Sequence, residues 1–188
     1  DYSEDLRIDY SILEQHAESY REIRNTFRYL LGNLNDSFEK VDFEKLNLKE
    51  LPELEQYMLN KIFNLNSKFK KNFDIYNFHS LYKELLHFCT LDLSAFYFDI
   101  RKDSLYCDPI NSQKRKSTLK FLNVVLEILL KWFAPILSFT TEEIYSLLKI
   151  KTNESVHLEK FPKIPTIWKN EILENKWHEL IKIRDKCN

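Results

Sequence analysis

Apolar residues recur along this chain at steps of three and four, the period of helices with one buried face. Ile12, Tyr20, Ile23, Phe27, Leu30, Leu31 and Leu34 define a first helix over about 13–34. Arg21, Arg24 and Arg28 share a second face of it. Asn33, Asn35 and Asp36 are expected to close it, and 37–49 reads as a polar connection. Pro52 suits the start of a second helix, because its missing N–H costs nothing there. That helix is expected to run to about Lys71, with Leu54, Met58, Ile62, Leu65 and Phe69 inward. Asp74 is the expected N-cap of a third. There Phe78, Tyr82, Leu85, Leu86, Cys89, Leu93, Tyr97 and Ile100 keep helical spacing up to Cys107-Asp108-Pro109. A fourth helix spans about 112–133, with Leu119, Leu122, Val125, Leu126, Leu129 and Leu130 apolar, and stops at Ala134-Pro135. Thr140, followed at the right distance by Glu143, predicts a capping box for a short fifth helix to Leu148. The stretch 151–168, with Pro162 and Pro165, reads as irregular, and 169–188 as the start of a last helix. The predicted fold is an all-α antiparallel bundle, with 1–150 as its main body.

Composition narrows the chemistry. The 188 residues contain one glycine, Gly32, where about 13 would be average. That excludes glycine-rich phosphate loops of the GxGxxG and Walker A types. Cys89, Cys107 and Cys187 show no CxxC spacing and read as free thiols of a reducing compartment. No apolar run reaches the length of a membrane span, and the acidic start is no signal peptide. Net charge is −1, yet residues 1–60 carry −7 and 61–188 carry +6. Such a split lets one face meet a polyanion while another does not.

Two metal-like motifs, Glu84-x-x-His87 and Glu154-x-x-His157, suggest a di-iron bundle. The match is weak, because the second sits in a stretch without helical pattern and no further inward glutamates can be assigned. Cys89 and His87 point apart on one helix, so they make no nucleophile–base pair. Nucleic-acid cues are more numerous. Arg21, Arg24 and Arg28 line a helix face, while Lys68, Lys70 and Lys71 end the second helix. Arg101 and Lys102 end the third, and Lys114, Arg115 and Lys116 open the fourth. Phe96, Tyr97 and Phe98 stand near Arg101 as candidate stacking groups. The plain alternative for each cluster is a solvated face or a charge answering a helix dipole.

The segment Tyr20-Arg21-Glu22-Ile23-Arg24-Asn25-Thr26-Phe27-Arg28-Tyr29-Leu30-Leu31-Gly32-Asn33-Leu34 resembles the opening helix of the anticodon-binding domain of isoleucyl-tRNA synthetases, class Ia enzymes. The IRNT core separates it from valyl enzymes, whose matching helix reads NKLWN. Residues 1–6 resemble the SDY segment that follows the family's catalytic domain. Residues 91–106 resemble its DLSAFYFDIRKDRLY motif, with Ser104 in place of an arginine. Residues 134–144 resemble its APILSFTAEEIW, and 155–158 and 177–184 also fit, so the likeness runs the length of the chain.

The resemblance implies a helical tRNA-binding piece of a ligase that joins isoleucine to its tRNA with ATP. The family's HIGH and KMSKS signatures, editing domain and zinc module are missing from these residues, so this piece is expected to be inactive by itself. ATP with Mg, and zinc as a further candidate, would belong to the parent. Expected partners are the anticodon stem-loop of the isoleucine tRNA and the parent's catalytic domain, in a cytoplasmic monomer. Arg21, Arg28, Arg101, Lys102, Lys114, Arg115 and Lys116 are the expected backbone contacts. Arg24 and Asn25 are assigned to tRNA or to bracing, with bracing preferred. The competing readings are an adaptor bundle without tRNA contact and a metal-binding bundle.

Overall fold

A computed structural model describes residues 8–34 and 38–187, with backbone only for Asp185. The expectations for residues 1–6, Asn35 and Asp36 lie outside them. Helix α1 runs Tyr10–Leu34, α2 Glu53–Asp74 and α3 Phe78–His87; α3 continues through a π-helical stretch, Phe88–Phe98, into α4, Asp99–Tyr106. Helix α5 spans Gln113–Phe133, α6 Ser138–Leu147 and α7 Glu171–Cys187. Among the described residues there is no strand.

The long rods α1, α2, α3–π–α4 and α5 form the expected antiparallel bundle. Lys68 pairs with Glu84, Lys61 with Asp92 and Arg101 with Glu55, so α2 and the α3–π–α4 rod run in opposite directions. Phe27 of α1 meets Phe133 of α5 edge-on at 5.9 Å, while Glu39, beyond the end of α1, donates its N–H to Asn123. Ile23, Phe27, Leu30 and Leu34 are fully buried, but Ile12 is exposed, because α1 projects beyond the bundle through its first turns.

The local signals differ from expectation at three ends. Pro52 occupies the N-cap of α2 rather than its first turn. Asp74 closes α2 instead of capping α3; Asn77 is that cap, accepting from the Ser80 N–H at 3.1 Å. At this junction the N–H of Asn77 bonds the carbonyl of Asn72 and that of Tyr76 the carbonyl of Phe73, a Schellman closure with Tyr76 left-handed at φ 57. The Thr140 capping box does not form. Helix α6 starts earlier, at Ser138, and Thr140 turns inward to Tyr20. The third helix is not uniformly α-helical. Its i→i+5 bonding aligns Phe88, Leu93 and Phe98, all buried.

The stretch 151–168 is irregular but packed. Val156, Ile164 and Trp168 are buried, with Trp168 against Phe43 at 5.6 Å. Helix α7 then lies on α2, where Trp177 stacks on Tyr57 at 5.2 Å.

Candidate nucleic-acid interface

Steps of three and four place Arg21, Arg24, Asn25, Arg28, Leu31 and Gly32 on one face of α1. The tight turn after Phe133 folds α6 back beside that face and brings Glu143, Ile144 and Leu147 opposite it. Between the two helices lies an open groove of about 690 Å³ with arginine walls and an aliphatic floor.

Arg24 is tied across the groove. It donates to the Glu143 carboxylate at 3.1 Å and to the Tyr20 hydroxyl at 3.2 Å. Tyr20 is in turn 2.8 Å from the Thr140 hydroxyl. The Thr140 and Arg24 hydrogen bonds hold the Tyr20 phenol below its ordinary pKa, and the Tyr20 and Glu143 contacts raise that of Arg24. Arg28 donates to Asn25 at 2.6 Å, and Arg21 pairs with Glu18. These ties are exposed, so an arriving phosphate can replace them at little cost. Arg24 thus bridges α1 to α6, while Arg21 and Arg28 stand at the solvent edge.

A second basic site opens α5. Ser112 caps the helix, and Lys114, Arg115 and Lys116 fill its first turn with no acidic residue among them. Arg115 is held by the Asp108 carbonyl at 2.8 Å. Lys114 and Lys116 are exposed, with no ion pair among the described residues. Positive charge at a helix N-terminus opposes the macrodipole, so this cluster gains nothing from its own helix. The two sites do not merge. Lys116 lies 17 residues before Phe133, which packs beside Phe27. At 1.5 Å per residue they stand about 25 Å apart along the bundle.

Two expected contacts are corrected. Arg101 is only 6% exposed, and its guanidinium grips buried Glu55 at 2.6 and 2.7 Å, with the Tyr97 hydroxyl on the same carboxylate at 2.8 Å. Four residues after Tyr97, it falls on the buried stripe and cannot reach a phosphate without breaking that pair. Phe96, Tyr97 and Phe98 are likewise buried and offer no stacking face. Lys102 is exposed and bound to Asp99 at 2.9 Å, which also lies 3.7 Å from Arg184. Lys68 is engaged by Glu84; Lys70 and Lys71 are exposed.

The metal motifs do not converge. Glu84 faces Lys68, His87 is exposed, and Glu154 and His157 lie on or beside the 3₁₀ turn Val156–Leu158. Among the described residues no three His, Cys, Asp or Glu side chains gather as metal ligands. No described helix is long and apolar enough to cross a membrane. The pattern of arginines pointed to the groove, but not to Glu143, Ile144 and Leu147, which reach it only through the α6 fold-back. Gly32 carried a further signal: it continues the arginine face by one more turn.

The family model for the anticodon-binding domain of tRNA ligases matches residues 55–188. The chain belongs to this anticodon-binding family. The matched region holds the α5 cluster but begins after α1, so the arginine groove is only half inside it. Full-length similarity extends over α1 as well. The isoleucine–tRNA ligase of Pelagibacter ubique is 66% identical over 187 residues, 100% of this chain and 21% of that protein. Those of Agrobacterium fabrum and Brachyspira hyodysenteriae are 41% and 40% identical over 98% of this chain, and 18% and 20% of their own lengths. The chain therefore spans about a fifth of the curated relatives it matches.

Proposed function

We propose that this chain binds the anticodon stem-loop of the isoleucine tRNA as one part of an isoleucine–tRNA ligase. In this reading ATP-dependent joining of isoleucine to tRNA, with Mg and any zinc module, belongs to the portion of the ligase outside these residues. The setting is the cytoplasm, and the ligase acts as a monomer.

The observation that carries the reading is the pair of exposed basic sites on two neighbouring rods, at opposite ends of one bundle, in a chain of the anticodon-binding family. Arg21 and Arg28 at the groove edge and Lys114 and Lys116 at the opposite end can hold one RNA backbone at two points. Phosphate contacts position the RNA and unpaired bases supply specificity. Arg115, held by the Asp108 carbonyl within the second site, and Lys102, held by Asp99, are secondary contacts in this reading. With a net charge of −1, this chain alone binds weakly, and the full ligase adds a second anchor on the same tRNA.

The test is a salt-dependent titration with an isoleucine anticodon stem-loop and a valine counterpart. Affinity is expected to fall as salt rises and to be higher for the isoleucine loop. Arg28→Glu is expected to flatten the logarithmic salt slope by about 1. Equal binding of both loops would leave a phosphate grip without base reading. No binding at low salt would sink the proposal for this chain.

A further inference from the structure

Gly32 is the chain's single glycine, and it stands inside α1, which continues through Leu34. Glycine is the least favourable helix-interior residue after proline. Its usual justifications are a left-handed backbone or a space too tight for a side chain. Neither applies among the described residues. Gly32 does not have a positive φ, and a Cβ built on it meets no described atom within 4 Å. Where the described backbone does turn left-handed, the chain uses Tyr76 instead. Nothing among the described residues requires a glycine here.

The groove supplies one. Gly32 follows Arg28 by four residues, so it is the next position on the arginine face, and it lines the groove beside Leu31 and Leu147. Leu147 is 65% exposed. Past these residues lies a smaller hollow of about 280 Å³, which shares Leu31 and Leu147, is walled by Leu34, Phe38, Leu126 and Leu148, and has Lys149 as the one charged residue of its lining. A side chain at position 32 would stand in otherwise open space on the path between the arginines and this hollow.

We infer that the groove is a bed for one unpaired RNA nucleotide, whose sugar–phosphate backbone passes directly over α1 at Gly32. Its phosphates face Arg28 and Arg21, and its base covers Leu31 and Leu147. Backbone N–H groups inside a helix are already bonded, so the contact at Gly32 is one of shape, and the gain is the apolar surface the base removes from water. The inference rests on the RNA-binding function proposed above and adds where the strand runs.

Gly32→Ala separates fold from ligand. Its unfolding midpoint is expected to rise by about 2–4 °C, as removal of a helix-interior glycine predicts for a chain of this size. Its affinity for the isoleucine stem-loop is expected to fall by roughly fivefold or more, the cost of a methyl in a filled space. The salt slope stays unchanged, because every phosphate keeps its cationic partner. Wild-type affinity in Gly32→Ala would overturn the inference, and so would a lowered midpoint, which would assign the glycine to folding. Arg28→Glu in the same titration reports on the underlying function. If it weakens binding while Gly32→Ala does not, only the strand path fails; if neither weakens it, the groove is not an RNA site.

Discussion

Replacing Arg101 by Met tests whether this residue braces the bundle or contacts a ligand. Glu55 is fully buried, and its carboxylate accepts three hydrogen bonds, two from Arg101 and one from Tyr97. Methionine matches the arginine stem but removes both donors, leaving a buried charge with only the phenol. Breaking one side of such a pair costs about 3–5 kcal/mol. At about 2–4 °C per kcal/mol for a chain of this size, the midpoint should drop by roughly 6–20 °C. Urea denaturation followed by circular dichroism measures the loss directly. The double variant Arg101→Met with Glu55→Leu exchanges the whole pair for apolar groups and should recover most of it. RNA affinity of the double variant should equal that of the wild type. A loss below about 1 kcal/mol for the single variant would refute the bracing argument. Weakened RNA binding in a stable double variant would return Arg101 to the interface.

Three further outcomes follow from the packing. Cys89 is fully buried, and burial pushes its thiol up to about 12. Thiol titration of the native protein should therefore show fast reaction at exposed Cys107 and Cys187 and none at Cys89 until unfolding; equal rates at all three would contradict this. Burial alone would raise the Glu159 carboxyl, but hydrogen bonds from Asn153 and Tyr145, with Lys131 nearby, hold it below its ordinary 4.5. Its stabilisation is present above pH 4.5 and is lost as pH falls through the lower folded value, so the gap between wild type and Glu159→Gln should close in acid; a gap independent of pH would argue against it. Tyr76 holds a left-handed conformation that costs a non-glycine residue about 1 kcal/mol. Tyr76→Gly should raise the midpoint by about 2–4 °C, and a fall would mean that its contact with Phe78 outweighs the backbone cost.

The long helices were legible because each buries one stripe over several turns, and that repetition survives errors at single positions. Their ends were less so. Thr140 and Glu143 have the spacing of a capping box, yet Thr140 finds Tyr20, 120 residues away in sequence, and Glu143 finds Arg24. No local pattern contains those partners. Arg101 is a different case. Charge suggested surface, and the helical spacing put Ile100 on the buried stripe; Ile100 is instead 38% exposed, because the wider turn of the π-helical stretch brings Arg101 inward in its place. Glu55 made that burial possible from another helix. The groove was half legible: α1 displays its arginines at helical spacing, but the opposite wall depends on how sharply the chain turns at 134–138.

The first turn of α5 carries the clearest conflict between stability and binding. Lys114, Arg115 and Lys116 place three cations where the helix dipole is positive, and no acidic residue in that turn offsets them. Each such charge costs about 0.3–1 kcal/mol, so reversing Lys114 and Lys116 to glutamate should turn two unfavourable terms into favourable ones. The gain should reach about 1–4 kcal/mol, visible as a higher urea midpoint. Were these lysines merely solvated, nothing else would change. If they hold RNA, affinity should fall and the salt slope should flatten by nearly 1 for each phosphate that is no longer neutralised. Greater stability with weaker binding is the outcome expected both here and at Gly32, at two sites about 18 Å apart along the bundle. Charge reversal that stabilised the chain and left RNA affinity and salt slope intact would remove this end of the bundle from the interface, and the groove would then have to carry the binding alone.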